Sequence, residues 1–353
     1  QWWGMGRELL QQQPVFRDVI EACDRQIQEL GGWSLLKLLQ EEQASGRLDQ
    51  TAFAQPAIFA LQVGLFQLWR SWGLEPAAVV GHSVGEIAAA YAAGILSLGQ
   101  AVEVVFQRAS TMENASIEGG MLAVECTPQA GAEMLAGWGG RLEIGAINSP
   151  HSLAISGDAR AIQEFDQWAQ QAGIARRPLP VQYAFHSALV EPVRQPLLER
   201  LGALQPGPAQ FPMVSTVTGQ GVTGPELDAD YWWRNVRQTV LFAPAIEQLL
   251  AQGHEVFLEV GPHPVLSANC VACADQIGRQ IVTLSSARRG LDQQAHLLET
   301  LGQLWSLGAA IDWKALYPVG QRQDLPPYPW QRKRYRSASR DRQRELFAST
   351  PFP

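Results

Sequence analysis

The stretch Val79-Val80-Gly81-His82-Ser83-Val84-Gly85-Glu86-Ile87-Ala88-Ala89-Ala90-Tyr91 decides how this chain is read. An apolar, β-branched run stops at one glycine, and an alanine-rich helical run starts just after a second. Between them lies G-x-S-x-G. On so sharp a strand-to-helix turn the serine hydroxyl is pushed clear of the sheet, at the positive end of the following helix. The flanking glycines are expected to keep Cβ atoms out of a place where strand and helix nearly touch. The pattern predicts a nucleophilic Ser83. The competing reading is a serine that only caps a helix.

Outward from this turn, Gln55-Pro56 predicts a helix start, with proline in the first turn and apolar residues at helical spacing through Trp69. A second helix is expected over about 98–112. The texture then changes. Residues 119–124 read as a strand, 127–138 as a helix, 142–148 and 152–157 as a hairpin, 159–172 as a helix and 175–181 as a strand. That β-α-β-β-α-β order is a ferredoxin-like unit. After it, 256–262 reads as a further buried strand. The expected class is α/β: an α/β-hydrolase-like large subdomain (1–118 and 184–290) with an inserted ferredoxin-like small subdomain (119–183). Residues 291–353, ending rich in proline and arginine, are expected to form an extended linker and basic tail.

The 353 residues, 46% hydrophobic and 17% charged, can bury a large core in two domains or in one domain with an insertion. A net charge of -7 argues against nucleic acid as a partner, because no broad basic face is available for phosphates. Cys23, Cys126, Cys270 and Cys273 are too scattered for a disulfide framework. The pair Cys270 and Cys273 has no second pair or nearby histidines, so no metal site is expected. No apolar run approaches the ~18 residues of a membrane span and no signal peptide is visible. The expectation is a cytoplasmic protein that does not touch membranes.

A serine nucleophile needs a base, and there are six histidines. His82 is adjacent to Ser83 and points the wrong way. His151 and His254 sit in turns or loops, His263 follows Gly261-Pro262, and His296 lies in a helical run. His186 comes where the inserted unit hands back to the main domain, a natural place for a cleft, and ranks first.

Motifs along nearly the whole chain resemble the acyltransferase domains of modular type I polyketide synthases, related to malonyl-CoA:acyl-carrier-protein transacylases. They are residues 2–9, Gln55-Pro56-Ala57, Gly81 to Glu86, Arg108 set 25 residues after Ser83, Tyr183-Ala184-Phe185-His186, Trp233-Arg234-Asn235, Glu259-Val260-Gly261-Pro262 and Tyr328-Pro329-Trp330-Gln331-Arg332. The resemblance implies a Ser83–His186 dyad, with Val84 N–H in the oxyanion hole and the main-chain carbonyl of Asn235 orienting the histidine. It implies that Arg108 grips a substrate carboxylate and that Gln55, His82, Tyr183 and Phe185 line the pocket. Acyl-CoA would be the substrate, and an acyl carrier protein bearing phosphopantetheine the acceptor. A ketosynthase domain of the same synthase would be the neighbour, and the domain would bind no cofactor of its own. Of the family's opening G-Q-G-x-Q only Gln1 has a counterpart, so the chain as written is expected to lack one oxyanion amide, a loss worth about 10²–10³ in rate.

The tetrapeptide is a hybrid of the H-A-F-H form that resembles malonyl-selective domains and the Y-A-S-H form that resembles methylmalonyl-selective ones. Phe185 would fill the room an α-methyl branch needs, and Val84 also leans to malonyl. Tyr183 and residues 214–219 lean the other way, so malonyl is favoured over methylmalonyl. Two other readings stay open. An α/β-hydrolase thioesterase or esterase could use Asp158 or Asp166 with His254 or His263, in the chain order Ser…Asp…His. A non-catalytic scaffold or docking domain would suit the basic tail.

Overall fold

The computed structural model describes residues 1–41, 46–115, 117–181, 183–320 and 323–333. They fall into two units, Gln1–Leu316 and a tail from Tyr317 onward. The first unit opens with α1 (Arg7–Gln12), α2 (Pro14–Gly31) and α3 (Leu35–Gln40). Pro14 opens α2 where its missing N–H costs nothing, and Phe16, Ile20, Cys23 and Ile27 bury one face of it. Next come α4 (Thr51–Ser71), β1 (Val79–Val80), α5 (Gly85–Ala92) and α6 (Leu98–Asn114). A capping box between Ser97 and Gln100 starts α6.

Two expectations about α4 are corrected. It begins at Thr51, so Pro56 lies inside the helix and not in its first turn. The Glu113 carboxylate accepts from Ala52 N–H at 3.2 Å, which satisfies a first-turn donor and allows the earlier start. Its 21 residues are also long and apolar enough to cross a membrane (hydropathy 1.2), although no such run was expected. Yet 67% of that window is buried, against α2, α5 and α6. Helix α4 is the core helix of this unit.

The inserted segment runs β2 (Gly120–Val124), α7 (Pro128–Leu135), β3 (Leu142–Ser149), β4 (Ser152–Gly157), α8 (Ala159–Gln171) and β5 (Arg176–Pro178). Its strands pair antiparallel in the order β5-β2-β4-β3, the ferredoxin-like arrangement. Leu122, Val124, Leu153, Ile155 and Phe165 form its own core. Strand β5 is shorter than expected because Pro178 and Pro180 have no N–H to give the ladder.

The chain then returns through α9 (Arg194–Leu201), β6 (Met213–Val214), β7 (Gly221–Val222), α10 (Ala229–Arg237), β8 (Val240–Leu241) and α11 (Phe242–Ala251). It closes with β9 (Val256–Glu259), α12 (Ser267–Gln276), β10 (Val282–Ser285), α13 (Gln293–Ser306) and α14 (Trp313–Leu316). Strand β8 pairs parallel with β3, so the large subdomain adds a fifth strand to the small sheet. Strands β1 and β6 pair in parallel, as do β9 and β10. A cavity of about 930 Å³ lies between β1 and β9, lined by Val79, Val80, Phe257 and Leu258 among others. Strand β9 is therefore less covered than its sequence predicts, and Val256 is 43% exposed.

Residues 291–316 belong to the first unit and not to a linker. Leu297, Leu301 and Leu304 of α13 are buried, and Gln293 N–H donates to the Glu8 carboxylate at 2.9 Å. The tail's described residues form no helix or strand. Residues 334–353, most of the expected basic tail, lie outside the described residues.

Candidate active site

Between Val80 and Gly85 the backbone turns through Ser83, whose φ of 52° is left-handed. His186 is the only other non-glycine residue described with positive φ, at 60°. Such conformations cost on the order of 1–3 kcal/mol each and persist where the surroundings hold them. A Cβ at Gly81 would lie 2.4 Å from Glu86 N and Cα, so this glycine is required by the close approach of turn and helix. Gly85 is different: an added Cβ would meet only the Gln62 side-chain amide, at 3.4 Å.

Ser83 Oγ lies 2.8 Å from His186 Nε2. His186 Nδ1 lies 3.0 Å from the Gln238 carbonyl, which only accepts, so the ring proton sits on Nδ1 and Nε2 is free to accept from the serine. The orienting carbonyl is therefore that of Gln238, not Asn235. Helix α10 ends at Arg237, and Gln238 just beyond it is extended (φ -84°, ψ 159°). The Asn235 side chain instead donates to the Glu86 carboxylate at 2.8 Å and to the Ser83 carbonyl at 3.3 Å. Val236 supplies a second carbonyl to this histidine, accepting from His186 N–H at 3.2 Å.

Arg108, on α6, is only 2% exposed. One of its Nη groups donates to the Gln55 side-chain oxygen and the other to Ser83 Oγ at 2.9 Å. Its Nε–H is buried without a partner, and among the described residues no carboxylate forms an ion pair with it. Burial lowers the Arg108 pKa to about 10, which still leaves it cationic at neutral pH. His186 is pushed down to about 3, first by burial, then by the charges of Arg108 and His82. The imidazole is therefore neutral and ready to take a proton. The Val84 N–H lies at the start of α5, where helix geometry leaves amides without intrahelical acceptors. A half-buried serine on a neutral histidine, with helix-start amides and a guanidinium free of any carboxylate beside it, can carry an acyl group on Oγ and hold an anion nearby.

The sequence profile of the acyl transferase domain family matches residues 1–310. The chain belongs to the acyl transferase domain family. It is 44% identical over 336 residues to polyketide synthase GfsB of Streptomyces halstedii, covering 95% of this chain and 6% of that protein. It is 42% identical over 338 residues to erythronolide synthase EryA2 of Saccharopolyspora erythraea, covering 95% and 9%. The chain thus spans a small fraction of the length of these relatives. Among solved structures, the acyltransferase domain from module 8 of the salinomycin polyketide synthase has a TM-score of 0.85 at 40% identity, covering 89% of this chain and 74% of that one. Malonyl CoA-acyl carrier protein transacylase from Clostridium perfringens has a TM-score of 0.76 at 25% identity, covering 87% and 95%. The α/β-hydrolase-like large subdomain and ferredoxin-like small subdomain are those of this acyltransferase architecture.

In this acyltransferase domain the other expected pocket residues are arranged as follows. His82 Nε2 is 2.8 Å from Asn148 Oδ1 on β3, and its ring packs on Phe242 at 5.5 Å between centroids, tying the serine turn to the small subdomain. Tyr183 and Phe185 stack at 5.5 Å. The Tyr183 hydroxyl, hydrogen-bonded to Glu113, is pushed up to about 12 by burial and by that carboxylate. The hydrolase triads do not assemble around Ser83. Asp158 caps α8 through Ala161 N–H at 2.8 Å, Asp166 pairs with Arg176 at 2.7 Å, and His254 and His263 line the cavity between β1 and β9 without a hydrogen bond to Ser83. Cys270 and Cys273 are buried thiols, both pushed up to about 12, mainly by burial. Sequence reasoning missed Gln238, Asn148, Glu113 and Glu86. Only Glu86 carried a signal, as an acid on the first turn of an otherwise apolar helix.

Proposed function

We propose that this acyltransferase domain moves a dicarboxylic acyl extender unit, malonyl in preference to methylmalonyl, from CoA to the phosphopantetheine thiol of an acyl carrier protein. Its setting would be a modular polyketide synthase in the cytoplasm, beside a ketosynthase domain. The relatives and structural neighbours named polyketide synthases support that setting.

Ser83 Oγ attacks the thioester carbonyl while His186 Nε2 takes its proton. The tetrahedral oxyanion is stabilised by backbone amides that include Val84 N–H. The C–S bond breaks and the CoA thiolate leaves with the proton from His186, leaving an acyl-serine. The carrier's thiol then gives its proton to His186 and attacks the acyl-serine. That step forms the new thioester and returns a proton to Ser83. The Gln238 carbonyl keeps the ring in the required tautomer, although a neutral carbonyl stabilises the imidazolium less than a carboxylate would.

The observation that carries the reading is Arg108. A buried guanidinium with an unpaired Nε–H, one Nη of which reaches Ser83 Oγ, suits an acyl chain that ends in a carboxylate. Intact-mass spectrometry after incubation with malonyl-CoA tests it. The expected result is a malonyl adduct that disappears in Ser83→Ala and forms several orders of magnitude more slowly in folded His186→Ala. Turnover to free acid with no carrier present would indicate a hydrolase, and no adduct at all a scaffold.

A further inference from the structure

The Glu86 carboxylate is fully buried at the centre of a hydrogen-bond cluster that takes no part in the chemistry above. It accepts from Thr216 N–H and Thr216 O–H, each at 2.8 Å, from Tyr231 O–H at 2.5 Å and from Asn235 Nδ2–H at 2.8 Å. Burial raises the Glu86 pKa, and the four hydrogen bonds, two of them from the obligate donors Thr216 N–H and Asn235 Nδ2–H, act against that rise in favour of the carboxylate. Thr216 follows β6, the strand beside the one that leads to Ser83. Tyr231 and Asn235 lie on α10, and the end of α10 provides both carbonyls that hold His186, from Val236 and Gln238. Asn235 also reaches the Ser83 carbonyl at 3.3 Å.

We infer that Glu86 and Asn235 are positioning residues that lock the serine turn to α10, so that the two strained residues Ser83 and His186 keep their register. The inference rests on Ser83 being the nucleophile. The amide of Asn235 spans the two halves: one nitrogen faces both Glu86 and the Ser83 carbonyl, while its Oδ1 is buried without a partner. Turning the amide over would set an acceptor against both of those oxygens, so the carboxylate fixes the orientation that Ser83 needs. Tyr231 shares the carboxylate but makes no hydrogen bond to Ser83. Its hydroxyl pairs instead with Ser215 Oγ at 2.7 Å.

This difference between Asn235 and Tyr231 gives the test. Asn235→Ala, Tyr231→Phe and the exchange Glu86→Gln with Asn235→Asp are compared for melting temperature and for serine acylation. Acylation is followed with malonyl-CoA and, separately, with a fluorophosphonate that needs only an aligned serine and histidine. The second probe reads alignment whether or not acyl-CoA is the substrate. Asn235→Ala is expected to slow both reactions by about 10–10² with KM unchanged, the scale that small misplacements of reacting groups produce. Tyr231→Phe is expected to lower the melting temperature and spare the rate. The exchange lets positions 86 and 235 pair again but leaves no proton for the Ser83 carbonyl, so it should recover melting temperature and not rate. Rates that track melting temperature across the three variants would overturn the inference, as would Asn235→Ala labelling at the wild-type rate. The single-residue pair decides the matter even if the exchanged protein fails to fold.

Discussion

The Arg108 guanidinium donates to Ser83 Oγ at 2.9 Å, the same oxygen that lies 2.8 Å from His186 Nε2. The group proposed to hold a carboxylate is thus hydrogen-bonded to the nucleophile itself. A bound carboxylate would draw the guanidinium to itself and leave the serine oxygen to the histidine alone.

Arg108→Ala should therefore separate substrates by charge. Loading from malonyl-CoA should fall by about 10²-fold or more, the scale of stranding one partner of a buried ion pair. Loading from acetyl-CoA should change much less. Competing the two thioesters on one enzyme sample checks this, and an unchanged preference for malonyl would rule out the role.

The pH dependence should be unusual for a histidine base. Burial, then the charges of Arg108 and His82, lower His186 from 6.5 to about 3, so the acid limb of serine acylation should lie well below pH 6. Because Arg108 is the second cause, Arg108→Ala should move that limb upward. It can be followed with acetyl-CoA or a fluorophosphonate, which need no carboxylate partner. Stability has a matching sign. The unfolded chain takes up this proton near pH 6.5 and the folded one only near 3, so acidification through that window favours unfolding. One such group contributes at most about 1.4 kcal/mol per pH unit. Denaturant titrations of His186→Gln across the same range should show a shallower loss than wild type.

Phe185 sets the extender in this proposal. Phe185→Ser should raise methylmalonyl loading relative to malonyl by about tenfold, since one methyl in an apolar pocket is worth only ~1–3 kcal/mol. Mass spectrometry of the acyl-serine formed from an equimolar mixture gives the ratio directly. A wild-type product dominated by methylmalonyl would reverse the assignment.

The two glycines of the serine turn should behave differently. Gly81→Ala puts a Cβ 2.4 Å from the Glu86 backbone, so the turn must distort, costing about 1–3 kcal/mol or more, and labelling of Ser83 should fail with it. Gly85→Ala meets only a side-chain amide at 3.4 Å and should fold and react almost as wild type. Urea denaturation and fluorophosphonate labelling of both variants check this.

What the sequence determined by itself was local. The serine turn is written in a dozen adjacent residues, because a strand that stops at a glycine and a helix that starts at once leave the serine a single strained conformation. The small subdomain was equally legible, since period-two runs and capped helices such as α8 behind Asp158 need no distant partner. His186 could be ranked first only from its place at the subdomain boundary.

Tertiary structure decided the rest. Helix α4 starts before Pro56 because Glu113, far along the chain, supplies an acceptor for its first turn. Helix α13 belongs to the first unit because its leucines and Gln293 find their partners there. The carbonyl on His186 comes from Gln238 because α10 ends at Arg237 and frees that oxygen, while Asn235 is drawn to Glu86. Sequence fixes which groups must be satisfied, and only packing shows which distant group satisfies them.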